Sequence, residues 1–306
     1  MLRKLFSVVL SAVFLFSSIC TAFAEVPNTA EDKLAAVEKI LYGGVQTGAM
    51  AERIKRVESE YSGVNTKTSM MNRVQYLYTY TFDNSSAPSL ITQMNALEWA
   101  ISHKISNESM QSRVAEMENS INGTVSNGSM HERIQSLSEF AFGSQQIPLG
   151  QVIVPANTLV KIALITPVQS KNIKVGDVIN YQVAEDVIED GMLLFTKGAP
   201  GEGVVTKVKQ ASNFGRNGAV EIDFKTTTAV DGSTVNTLLG QESKEKMENM
   251  AMAAGASLAG MLILGPIGII GGAFVHGKNV DLPEGTELYI QTAEETTVYG
   301  IPTVSE

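Results

Sequence analysis

Cysteine is almost missing from this chain of 306 residues, with Cys20 the only one. Once an N-terminal leader containing Cys20 is removed, disulfide staples and thiolate metal sites are excluded. Histidine is nearly as scarce: His103, His131 and His276 are the three present, and none has a second His or Cys at ligand spacing. They read as solitary surface side chains, so no metal or cofactor is expected. Neither Gly-x-Ser-x-Gly nor His-Glu-x-x-His occurs. The glycine-rich "GAPGEG" (198–203) lacks the Lys-Ser/Thr of a phosphate loop and reads as a strand connection. Arg216, between glycines in "SNFGRNG", reads as a solvated hairpin tip. Glu185, Asp186 and Asp190 in "AEDVIED" could serve a hydrolase, but acidic strand ends explain them as well. A non-enzyme with no small-molecule substrate is the expectation. Basic residues are also in short supply. Without Arg3 and Lys4, the 23 Lys and Arg become 21 against 32 Asp and Glu, a net charge of −11. This argues against nucleic acid and against anionic membrane surfaces as electrostatic partners.

The start of the chain has the three parts of a secretory leader. Arg3 and Lys4 are the positive segment, Leu5 to Ile19 the apolar one, and "AFA" (22–24) the small-x-small cleavage site. Cleavage after Ala24 is expected. The mature chain must then stand on its own core without disulfides.

Aligned on itself with a shift of 20, residues 33–143 repeat without gaps. The copies include "GAMAERIKRVESEYSG" (48–63), "TSMMNRVQYLYTYTFD" (68–83), "PSLITQMNALEWAISH" (88–103), "ESMQSRVAEMENSING" (108–123) and "GSMHERIQSLSEFAFG" (128–143). Met50, Ile54, Val57 and Tyr61 fall on one helical face, as do Met110, Val114, Met117 and Ile121, and Met130, Ile134 and Leu137. Gly63, Gly123 and Gly143 stand where C-caps belong, and Thr68, Ser69, Ser109, Gly128 and Ser129 where N-caps belong. Each unit is read as a short helix and loop whose stripe must be hidden by its neighbours or by other chains. Arg53, Glu58, Arg113 and Glu118 recur on other faces and read as solvated positions with local ion pairs, rather than as a repeated binding surface. The motif resembles short helical repeats of envelope proteins of double-membraned bacteria, which implies a location more than an activity.

After Gly143 the texture changes. "GSQQIPLGQ" is a linker, and "GAVEIDFKT" (218–226) then alternates strictly, with Val220, Ile222 and Phe224 facing one way. Further short strand candidates are separated by "VGD", "EDG", "GRNG", "VDGS" and "LPEGT", the pattern of a small barrel or sandwich. The order of "VPANTLVKIALITPVQS", "VGDVINYQVAEDVIEDGMLLFTKGAPGEGVV", "GRNGAVEIDFKTTTAVDGSTV" and "VDLPEGTELYIQTAEETTV" resembles the β-barrel domain of the outer-membrane core-complex subunit of type IV secretion and conjugation machines. It is also similar to other bacterial envelope domains with the same beginning and end. The resemblance spans roughly residues 151–299 and implies a barrel fold. That family carries an uncleaved inner-membrane anchor and a proline-rich arm; this chain has a cleavable leader and helical repeats instead.

One stretch has no charge at all: "MAMAAGASLAGMLILGPIGIIGGAFV" (250–275). From Asn249 to Val275 it exceeds the ~20 residues that span a bilayer. Pro266 would break a helix there. A single span would split strands that belong to one sheet. A helical hairpin turning at Gly265 and Pro266 keeps both ends on one side; burial in an oligomer or against the barrel, and a mobile segment, are the alternatives. The hairpin reading places Leu258, Met261, Leu262, Ile263, Leu264, Ile267, Ile269, Ile270 and Phe274 against a membrane.

The whole reads as an α+β multidomain protein: leader 1–24, helical repeats 25–143, linker 144–150, and a small, mainly antiparallel β-barrel or sandwich 151–306 with an apolar helical hairpin inserted at 243–276. The expected object is an exported, non-enzymatic structural or assembly protein of the periplasm or outer membrane of a diderm bacterium. It would touch membrane lipid and work as a homo-oligomer or within an envelope complex. The alternative is a soluble periplasmic module whose repeats dock peptidoglycan or a protein partner.

Overall fold

The computed structural model describes residues 27–61, 68–211, 218–253, 263–265, 269–271 and 279–303. The leader, Cys20, Gly63, Arg216, Leu258, Met261, Leu262, Pro266, Ile267, Phe274 and His276 lie outside them.

Six helices begin at 20-residue intervals: α1 (Ala30–Tyr42), α2 (Met50–Glu60), α3 (Met70–Phe82), α4 (Leu90–Ser102), α5 (Met110–Asn122) and α6 (Met130–Phe142). Thr29, Ser69, Ser89, Ser109 and Ser129 each cap a first turn by accepting the backbone N–H three residues on. Gly43, Gly123 and Gly143 close helices in the left-handed conformation, and His103 takes the same position and conformation at φ 51°. That histidine is therefore a helix terminator, packed edge-on against Trp99.

Ile54, Val57, Met110, Val114, Met117, Met130, Ile134 and Leu137 are buried in one cluster shared by all six helices, with Met50 half-buried against it. Packing occurs within the chain. α1 lies against α2 and α3, and α4 against α5 and α6, with α1–α5 and α3–α4 joining the two sets.

The recurring Arg and Glu positions are not solvated. Glu38, Glu58, Glu98 and Glu118 are buried, and each receives the guanidinium fifteen residues on: Arg53, Arg73, Arg113 and Arg133. Three of the four carboxylates also accept a loop N–H eight residues on, from Gln46, Ser106 and Ser126. Each rung therefore ties a helix to the next helix and, in these three, to the loop between them. Burial raises the Glu118 carboxyl, but the hydrogen bonds from Arg133 and Ser126 outweigh it and leave the group below the usual range. One rung is missing, because the corresponding positions hold Tyr78 and Gln93. The six units are thus two three-helix sets, α1–α3 and α4–α6, related by a shift of 60 residues.

The second half is β-rich. Strands β2 (Leu159–Leu164), β4 (Val178–Val183), β7 (Pro200–Lys209), β8 (Ala219–Thr228), β9 (Thr234–Leu238) and β13 (Glu287–Thr292) pair in a closed antiparallel ring, β8-β7-β4-β2-β13-β9-β8. Closure removes the free edges of an open sheet except where the short β9 leaves parts of β8 and β13 uncovered. Val160, Ile162, Leu164, Ile179, Tyr181, Val183, Ile222, Phe224, Leu288 and Ile290 fill the interior by strict alternation. Beside the ring, β1 (Gly150–Val154), β14 (Thr296–Pro302), β6 (Met192–Phe195) and β5 (Val187–Glu189) form a second sheet in that order, and β3 (Val168–Gln169) pairs β12 (Asp281–Leu282).

"GAPGEG" acquires a specific task here. Gly201 and Gly203 face the interior of β7. A Cβ on Gly201 would fall inside the Tyr181 ring, and one on Gly203 would meet the Asp223 carbonyl at 2.8 Å. The Tyr181 hydroxyl, thus admitted, donates to the Thr226 carbonyl at 2.9 Å and lies within hydrogen-bonding reach of Thr227 and Thr237.

The apolar insertion differs from a helical hairpin. A helix does start it, α7 (Gln241–Ala253). Beyond it, β10 (Ile263–Gly265) and β11 (Ile269–Gly271) are antiparallel strands, and β11 pairs β8 at Ala219–Glu221. Gly265 is paired with Ile269, so the two described arms are strands rather than helices; Pro266, the other expected turn residue, lies outside the described residues. The edge of β8 explains this. β9 occupies that edge only at Thr226–Thr228, leaving the first residues of β8 with unpaired backbone groups. An isoleucine-rich segment suits such an edge.

Candidate functional site: the two ends of the barrel

Strand directions give the barrel two distinct ends. At one, here the repeat end, the β8–β9 turn Val230–Gly232 meets α4. The Asn95 amide donates to the Val230 carbonyl at 2.8 Å; the Thr92 hydroxyl and the Asn84 amide donate to the Asp231 carbonyl at 2.9 and 3.0 Å. Ala96 and Trp99 pack with Leu193, Val230 and Ile301 in a shared apolar cluster. The buried Asp231 carboxylate accepts N–H groups from Ser233 and Tyr299, both at 2.9 Å. Burial still pushes this carboxyl above its usual range. Arg113 extends the network, since its guanidinium donates to Asn95 Oδ1 at 2.7 Å while pairing with Glu98. One rung of the repeats is thereby wired to the barrel.

Sequence reasoning did not find this interface. The positions of Ile91, Thr92, Asn95 and Trp99 in α4 are held by Glu31, Asp32, Ala35 and Lys39 in α1. Uncharged side chains at these positions are not unique to α4: α3 has Met71, Asn72, Gln75 and Thr79, and α5 has Gln111, Ser112, Ala115 and Asn119, so the large apolar Trp99 rather than loss of charge distinguishes the helix that docks. We expect Asn95→Leu to disconnect the two parts. It leaves the Val230 carbonyl unsatisfied and removes one acceptor from Arg113, at a cost of about 1–3 kcal/mol. Trp99, the single tryptophan, reports the event directly: its emission shifts to the red if the interface opens, whereas an unshifted spectrum and unchanged melting would refute the assignment.

The opposite end carries the apolar hairpin. α7 follows the end of β9 remote from the β8–β9 turn, and there the buried Gln291 side chain accepts the Ser243 N–H at 3.0 Å. It then runs along the edge of β13 left open above β9, and the Tyr289 N–H points to the Met247 sulfur at 3.5 Å. The six residues from Met247 to Ala253 rise ~9 Å further, past the start of β13 at Glu287. The chain re-enters at Asn279, where Ala211 N–H donates to Asn279 Oδ1 at 2.9 Å and Val280 N–H to Ser170 Oγ at 3.1 Å. Residues 254–278 therefore leave and return at the same end of the barrel. Ile263, Leu264, Gly265, Ile269 and Ile270 stand in the two strands on β8 at that end. Among the described residues, no helix is long and apolar enough to cross a membrane.

The acidic group suggested for hydrolysis is divided among separate tasks. Asp186 accepts the Lys197 N–H at 2.7 Å, Glu185 lies beside Lys161, and Asp190 occupies a left-handed turn position at φ 50°. No cluster of three or more His, Cys, Asp or Glu able to hold a metal occurs among the described residues.

No protein-family model and no curated protein matches the chain. Among solved structures, ComB10 of the Com type IV secretion system of Helicobacter pylori is similar over 47% of this chain and 88% of that one, at 14% identity and a TM-score of 0.26.

Proposed function

We propose that this protein is a non-enzymatic structural or assembly component of a bacterial cell envelope. In this reading the closed barrel is a spacer, with the helical repeats docked at one end and a membrane-contacting apolar hairpin at the other. The observation that carries it is that the chain on either side of the segment 254–278, which contains the uncharged run, stands at the end opposite the repeat anchor. A leader-like N-terminus and an uncharged insertion longer than a bilayer needs give the same direction. Assembly into an oligomer would shield the polar backbone of the paired strands at membrane depth, which lipid cannot satisfy.

The test is fractionation after gentle lysis. The intact chain is expected in the membrane pellet. A variant in which a short Gly-Ser linker replaces 254–278 should be soluble and keep its thermal transition, because the described barrel core lies outside that segment. An intact chain that stays soluble and monomeric defeats the proposal. A second reading, a module whose repeats dock a partner, is favoured by one feature. Phe140 is 64% exposed beside a groove between α5 and α6 lined by Ile121 and Leu137. On that reading the linker variant would retain its partner.

A further inference from the structure

We infer that the groove between α5 and α6 receives an aromatic side chain from a basic partner segment; this rests on the docking reading above and is independent of the membrane reading. The argument comes from the two three-helix sets, because a shift of 60 residues lays α5 and α6 on α2 and α3. In the first set the space between these helices is filled from within. Tyr61 is buried, with its hydroxyl 2.9 Å from the Thr81 hydroxyl. Tyr80 lies against Tyr61 at a ring-centroid distance of 5.5 Å, and Tyr76 stacks on Tyr80 at 6.2 Å. In the second set the corresponding residues are Ile121, Ala141, Phe140 and Ser136. The rings of Tyr61 and Tyr76 have no counterpart, and a groove of about 310 Å³ stands open there, with Ile121, Ser136, Leu137 and Phe140 in its wall. Phe140, with neither ring beside it, is 64% exposed.

The first set thus shows the shape of what fills the second: a ring entering between the helices and lying against Phe140. Aromatic pairs favour such a spacing, and a ring buried in a groove is the usual anchor of an interface. Ala141 in place of Thr81 offers no hydroxyl partner, so the site selects a ring and not its hydroxyl.

The sign of the partner follows from the charges left over. Both arginines of α5 and α6 are committed to rungs, Arg113 to Glu98 and Arg133 to Glu118, and Glu116 pairs with Lys104. Glu132 and Glu139 enter no ion pair among the described residues, and Glu139 is exposed in the wall of the groove. His131 is the one further basic side chain on these helices, nine residues or ~14 Å along α6 from Phe140. A second copy inserting its own Phe140 would bring its Glu139 too, like charge against like. A segment with Lys or Arg beside its aromatic residue brings the opposite charge.

Selection from a display library of random decapeptides on the exported chain tests the inference. Enriched peptides are expected to carry Phe, Tyr or Trp next to Lys or Arg. Ile121→Tyr/Ala141→Thr copies Tyr61 and Thr81 and fills the groove from within. It should melt no lower than the parent and bind an enriched peptide about 30-fold more weakly, the loss of a central anchor. Phe140→Ala, a change at an exposed side chain, should weaken binding at least ~10-fold however the groove repacks. Glu139→Gln should cost about three-fold, and ~0.5 M salt the same. Replacing 254–278 by the Gly-Ser linker should leave the affinity unchanged, so failure of the membrane reading does not touch this one. Enriched peptides without an aromatic residue or without a cation, still excluded by the filled variant, overturn this chemistry and keep the docking reading. No enrichment, or peptides bound equally by parent and filled variant, overturns both. Self-association in sedimentation that the filled variant abolishes makes the occupant a second copy and overturns the basic partner.

Discussion

Glu98→Ala is expected to lower the unfolding free energy by about 3–5 kcal/mol, the effect of breaking a buried ion pair by removing one partner. Glu98 and Arg113 are both almost fully buried, and the lost carboxylate also serves the Ser106 N–H. Alanine leaves a guanidinium without a counter-charge, a loop amide without an acceptor, and a cavity. Burial already pulls the Arg113 pKa down, with Glu98 acting in the opposite direction, so the ion pair is what keeps the charge tolerable. Urea denaturation read by Trp99 emission measures the loss. Glu116→Ala is the control. It breaks the Lys104 pair on the surface, where both side chains are more than half exposed, and should cost under about 1 kcal/mol. Equal effects would show that the rungs are not buried in solution. A paired change, Glu98→Leu with Arg113→Met, should recover most of the loss, because apolar groups of similar volume often replace a buried pair at little cost.

Gly201→Ala has the second largest expected effect. The added methyl must displace the Tyr181 ring or separate β7 from β8, whose Thr226 carbonyl lies 2.9 Å from the new carbon. Overpacking of this kind costs about 1–3 kcal/mol and more when backbone is involved. Tyr181 would also give up a hydroxyl bonded within the barrel. Thermal melting of the single variant and of Gly201→Ala/Tyr181→Leu separates the causes. If the ring is the obstacle, the double variant is less unstable than the sum of the single changes. Strict additivity would place the strain elsewhere.

Local pattern accounts for much of what was legible beforehand. Helix faces such as Met110, Val114, Met117 need only their own spacing, and a Ser three residues before a helix's first-turn amide caps it wherever the helix lies. The alternation of Val220, Ile222 and Phe224 likewise names an interior face without naming the sheet. What repeats at period 20 was therefore readable, as was the α+β division. The docking face of α4 was not legible, because its positions vary from copy to copy: Lys39, Ser59, Thr79, Trp99, Asn119 and Glu139 keep no pattern for one helix to break.

Tertiary structure decided what depends on a partner distant in the chain. Arg and Glu recurring every 20 residues look like surface charge within one helix; only the packing of consecutive helices brings residues fifteen apart into a buried rung. Glycine-rich "GAPGEG" looks like a loop until Tyr181 arrives from β4 to occupy the space. The apolar run is the sharpest case. Its composition carries no period, so local preference leaves helix and strand open. The edge of β8, left vacant where β9 ends, offers unpaired backbone groups, and Ile263–Gly265 and Ile269–Gly271 answer as strands. The sequence alone determined that the run is uncharged and interrupted near Gly265 and Pro266. Its conformation was settled by hydrogen-bonding demand elsewhere in the fold, because a buried edge must be paired and an apolar segment of no fixed habit can pair it.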